Sequence, residues 1–186
     1  MPDPGRAARR GRPAACRPLL EEALPLLPTA AEIDRPLLAI DLGSGDRVDS
    51  LELLRLGWTV LAVRETPGAM RRESVRLTVQ VTDFRALVLP HADLIYTGSA
   101  LCLRPPPEFG PVWSRIVPAV KPGGWFVGRF LGDRDGRAPD PDLSFLTRKQ
   151  VVTLLSGFLV ELLHEREDAA DHGFDVIARR KDRWAR

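Results

Sequence analysis

Short unbroken apolar runs alternate along this chain with apolar stripes of helical spacing. Residues 37–40 are apolar throughout, and Asp41 and Leu42 close the run. Such a run suits a strand covered on both faces, as in a parallel sheet. Gly43-Ser44-Gly45 breaks it, and two glycines let the backbone turn tightly and lie close to whatever sits above the strand's carboxyl end. Val48, Leu51, Leu53 and Leu54 then place an apolar stripe on a helix over about 46–56, which Gly57 stops. A second strand follows over 58–63. This strand-turn-helix-strand unit predicts the nucleus of a doubly wound fold.

The rest of the chain repeats the alternation. Thr66-Pro67 reads as a helix start, cap followed by first-turn proline. Residues 75–81 alternate apolar and polar as a third strand, and 93–96 form a fourth. Arg104-Pro105-Pro106-Pro107 halts regular structure before a helix over about 108–120 that aligns Phe109, Val112, Trp113, Ile116 and Val120. Gly123 and Gly124 feed a fifth strand. Residues 131–144, with Asp133, Asp135, Asp140 and Asp142, read as a mobile, solvated loop long enough to act as a lid. Thr147 caps a helix that Gly157 ends, and 158–164 with 174–179 make a final strand pair. A short helix over 18–27 precedes the first strand. The pattern as a whole predicts an α/β fold: one Rossmann-like doubly wound sheet of about seven strands, mostly parallel, with an antiparallel final strand.

Composition changes this picture little. A chain of 186 residues suits one domain, expected over 14–182 after a flexible basic arm at 1–13. The net charge of +2 is local, because Arg6, Arg9, Arg10, Arg12 and Arg17 crowd the start. The arm lacks interleaved aromatics, which disfavours nucleic acid as a partner. Cys16 and Cys102 fit a reducing, cytoplasmic setting, and with the three histidines they show no metal-ligand spacing. No apolar stretch reaches membrane-spanning length. Nothing in the pattern sets an oligomeric state.

Asp41-Leu42-Gly43-Ser44-Gly45 resembles the first motif of class I S-adenosylmethionine-dependent methyltransferases. A nicotinamide fingerprint would need a third glycine where Val48 stands. Lys121-Pro122-Gly123-Gly124 and the residues after it resemble that family's turn and fifth strand, Ala92–Tyr96 its fourth strand, and Asp83-Phe84 the step after its third. The tail is similar to those of small bacterial members, including relatives of tellurite-resistance methyltransferases. The resemblance implies S-adenosylmethionine as cofactor. Asp41, Gly43, Ser44 and Gly45 would hold its methionine end, Glu65 its ribose, and Asp83 and Phe84 its adenine. Thr97, at the end of the fourth strand, would bound the same crevice.

Two positions depart from the resembled pattern. Arg47 stands where a third glycine is usual, and Arg64 where a carboxylate would accept the ribose hydroxyls. An arginine has donors only, so Glu65 is the substitute acceptor. The expected activity is methyl transfer to a small organic acceptor, with His172 as candidate base and no metal. The alternative is a methyltransferase fold that no longer methylates, either a repurposed natural-product tailoring enzyme or a non-catalytic partner subunit.

Overall fold

A computed structural model describes residues 17–29, 32–45, 48–67, 74–138, 140–168 and 171–182. The basic arm, Cys16, Arg47 and the body of the helix expected after Pro67 lie outside these residues. Helix α1 (Pro18–Ala23) leads into a 3-10 turn and then β1 (Leu38–Leu42), α2 (Val48–Arg55), β2 (Thr59–Arg64) and β3 (Leu77–Val81). After β4 (Ala92–Gly98) come α3 (Pro106–Ala119), β5 (Val120–Gly132), β6 (Phe145–Leu146), α4 (Arg148–Leu154), β7 (Phe158–Glu167) and β8 (His172–Arg180). The strands form one sheet in the order β3-β2-β1-β4-β5-β8-β7, with the short β6 paired to β5.

β1 lies centrally, parallel to β2 and β4. β8 is antiparallel to both β5 and β7, so a single strand runs against the rest. Alternate residues of the strands feed two cores. Ile40, Leu42, Ile95, Phe126 and Phe130 face α3, where Trp113 meets the Phe126 ring edge-on at 5.0 Å. Ala39, Val60, Ala62, Leu94 and Tyr96 face α1 and α2. This two-sided burial is what an unbroken apolar run requires.

Three differences from the sequence expectation have local causes. β5 starts at Val120, ahead of the glycine pair, because Val120 already pairs with Ala92 and a register shift absorbs the turn. A Cβ on Gly124 would stand 2.9 Å from the Lys121 carbonyl oxygen and 3.1 Å from that of Asp93, so only glycine fits there. The polar segment 131–144 is pinned at both ends. Asp133 N donates to Leu146 O, Ser144 N to Cys102 O, and Ser144 Oγ to Arg104 O. Asp135, expected in solvent, is buried and accepts from the backbone N–H groups of Arg137 and His172. No helix among the described residues is long and apolar enough to cross a membrane.

Candidate functional site

The strand-to-helix turn after β1 gathers most of the expected residues. Gly43 N and Ser44 N both donate to Val63 O, which fastens the turn to the end of β2. Gly43 has φ +88°, the left-handed region, and a Cβ there would stand 2.4 Å from the Ala100 Cβ. Asp41 is buried below the turn and accepts from Ser50 Oγ at 2.5 Å, which couples β1 to the first turn of α2. The Ser44 side chain is also buried, and its hydroxyl has no hydrogen-bond partner among the described residues.

Beside this turn, at the carboxyl edge of the sheet, lies a cavity of about 250 Å³ lined by Gly43, Gly45, Arg64, Glu65, Phe84 and Arg104, among others. Phe84 is buried in a 3-10 turn capped by Asp83, whose carboxylate accepts from Arg85 N at 2.7 Å. The Arg85 guanidinium also holds Asp83, and this hydrogen bonding lowers the carboxyl pKa to about 2. Asp83 is thus engaged by its own turn and does not line the cavity. Thr97 is buried behind the site, its hydroxyl donating weakly to Gly98 O and crowding the place where a Cβ of Gly128 would stand.

Glu65 does line the cavity, and its partner is a residue that no sequence motif marks. Arg104, from the turn after β4, donates to both Glu65 oxygens, at 2.5 and 2.9 Å, and also reaches Glu108. Its guanidinium carbon lies 4.8 Å above the Phe84 ring, within cation–π range. Phe84 N donates to Glu65 as well, at 3.1 Å. Hydrogen bonding from Arg104 is the main cause holding the Glu65 carboxyl below its ordinary pKa. Arg64, directly before, has a buried Nε without a partner among the described residues. Arg17 is the other residue missed: its backbone N–H and guanidinium both reach the buried Asp49 at the start of α2.

His172 lies elsewhere on the same edge of the sheet, at the start of β8. Its ring is buried, Nδ1 accepts from Arg134 N at 3.0 Å, and Nε2 faces Glu165 at 3.2 Å. A Cβ on Gly132 would overlap that ring, so the imidazole is packed tightly against β5. Among the described residues no cluster of His, Cys, Asp and Glu has a metal-binding arrangement. A larger cleft, of about 530 Å³, opens at the opposite, amino edge of the sheet between the 3-10 turn after α1 and Trp125. Among its charged groups, Arg35 pairs with Asp93 and Arg179 donates to Gly123 O.

No family model and no curated protein sequence matches the chain. Solved structures do. A 1,6-didemethyltoxoflavin N1-methyltransferase from Burkholderia thailandensis, crystallised with bound 1,6-didemethyltoxoflavin and S-adenosylhomocysteine, superposes with a TM-score of 0.68 at 22% identity, over 89% of this chain and 79% of that one. The class I methyltransferase fold is therefore established here. Magnesium protoporphyrin IX methyltransferase from Synechocystis, with S-adenosylhomocysteine bound, matches with a TM-score of 0.66 at 15% identity over 87% of this chain and 82% of that one. TehB from Haemophilus influenzae matches at 0.63 and 16%, over 82% of this chain and 60% of its own length. In this fold the cavity beside the glycine turn sits where open α/β sheets place their ligands, outside the carboxyl ends of the strands.

Proposed function

We propose that the chain binds S-adenosylmethionine at the glycine turn and methylates a small organic acceptor. The observation that carries the reading is the turn itself: a left-handed Gly43 and an open Gly45 beside a cavity that also holds a carboxylate and an aromatic ring. The residues suit the cofactor there. Backbone around Gly43 and Gly45 and the unpartnered Ser44 hydroxyl would meet its polar methionine end, with Asp41 keeping the turn rigid through Ser50. Glu65 is the acceptor for ribose hydroxyls, and Phe84 an apolar wall for adenine. When bound, S-adenosylmethionine supplies an electrophilic methyl group, its S–C bond breaking with the electron pair left on sulfur as the acceptor's lone pair forms the new bond.

Placing an acceptor in line supplies much of the rate in such a transfer, so no acid or base is obligatory. This agrees with a His172 whose two nitrogens already have partners. The neighbours named for toxoflavin and porphyrin substrates support a small-molecule acceptor.

Gly45→Val makes the test. Among the described residues a Cβ at Gly45 would meet only Gly43 O, at 3.9 Å, so the variant has room to fold while a side chain intrudes on the ligand. Calorimetric titration with S-adenosylhomocysteine should show binding in the natural chain and a loss of about tenfold or more in the variant, equivalent to about 1.4 kcal/mol. An unchanged affinity would remove the ligand from the glycine turn and sink the reading, and no binding by the natural chain would favour a fold that no longer methylates.

A further inference from the structure

We infer that Arg104 sets how tightly this chain holds the ribose of an adenosyl ligand, by occupying the carboxylate that the ribose needs; this rests on the function proposed above. Glu65 is the only carboxylate among the described residues lining the cavity. Its two oxygens offer about four acceptor positions. The Arg104 fork takes two of them and Phe84 N a third. A vicinal diol brings two donors, so both cannot reach Glu65 while the fork is in place. Arg64, at the end of β2, adds only donors and cannot substitute.

The same geometry gives Arg104 somewhere to go. Glu108 lies in the first turn of α3, accepts from Arg104 Nε at 3.1 Å and lies 3.0 Å from its Nη2. Arg104 can therefore release Glu65 and keep one carboxylate partner along with its place over Phe84. The cavity volume points the same way. About 250 Å³ is small for the site, since pockets that enclose organic ligands run from about 300 to 1,000 Å³. A side chain that is 10% exposed and projects between Glu65 and Phe84 fills space that a ribose would take. The natural chain should accordingly read the diol weakly, and a chain without the fork should read it well.

Titrations of the full chain and of Arg104→Gln with S-adenosylhomocysteine, adenosine and 2′,3′-dideoxyadenosine decide the matter. The variant is expected to bind S-adenosylhomocysteine about tenfold more tightly, one well-formed charged contact regained. Its preference for adenosine over the dideoxy probe should also exceed the natural chain's by about tenfold. Added salt should tighten binding by the natural chain, because it screens the Glu65–Arg104 pair from the Glu65 side, which is 37% exposed, and should not do so in the variant. If Arg104→Gln melts early, Arg104→Lys decides in its place, since it keeps the charge and lacks the fork. Should the natural chain bind S-adenosylhomocysteine while the variant gains neither affinity nor preference for the diol, the role of Arg104 is refuted and the proposed function stands. Should no form bind, the proposed function falls and this inference with it.

Discussion

Gly43 combines two constraints that can be measured apart. Its φ of +88° disfavours any side chain, and Ala100 fills the space where a Cβ would go. Gly43→Ala should lower stability by about 2–4 kcal/mol, from roughly 1–2 kcal/mol of backbone strain plus the clash. Ala100→Gly in the same chain should recover the clash and leave the strain, which a double-mutant cycle from urea unfolding would separate. The two glycines and Asp41 were legible in the sequence because a turn motif is local. Arg104 was not: its partner Glu65 lies 39 residues away, and the three prolines beside it read only as a break before the next helix. Asp135 was misread for a similar reason. Nothing within the acidic segment shows that the His172 backbone will close over one carboxylate and bury it.

The elements were better announced than the contacts between them. Strands β1, β2 and β4 and helix α3 follow from apolar runs and stripes, with ends displaced by a few residues where pairing or capping decides. The start of α4 shows why capping is readable: Thr147 and Gln150 each close on the other's backbone N–H, a reciprocal box visible as a Thr-x-x-Gln spacing. Thr147→Ala should cost about 1 kcal/mol, seen as a lower denaturation midpoint at unchanged slope. β6 was invisible at this level. Phe145 and Leu146 become a strand only because β5 runs on to Gly132 and offers them an edge.

Across the molecule, Asp93 ties the amino ends of three strands together. It accepts from Leu38 N at 2.9 Å, from Arg35 at 2.6 Å and from Lys121 at 2.9 Å. Burial pushes its pKa up, but those hydrogen bonds outweigh burial and hold it below the ordinary value. A carboxyl whose folded pKa is depressed contributes stability above its unfolded pKa, and that contribution is lost as the pH falls through the folded one. Asp93→Asn should therefore cost about 2–4 kcal/mol at neutral pH, where two cations lose their counter-charge. The gap between natural chain and variant should narrow in acid unfolding curves below about pH 4, where carboxylates protonate.

The central place of β1 has a kinetic side. Its pairing with β4 brings Leu38 to Asp93 across 55 residues, with the whole β2–β3 excursion looped out between them. The antiparallel β7–β8 pair forms between sequence neighbours, with Asp168 N donating to Asp171 O where the two strands meet. Local hairpins close in about 1–10 μs, while a long loop must be closed before its contacts repay the lost entropy. The slow step of folding is therefore expected at the β1–β4 seam, which also carries the glycine turn, so the half of the sheet beyond β5 would dock onto a nucleus that already encloses the cavity beside that turn.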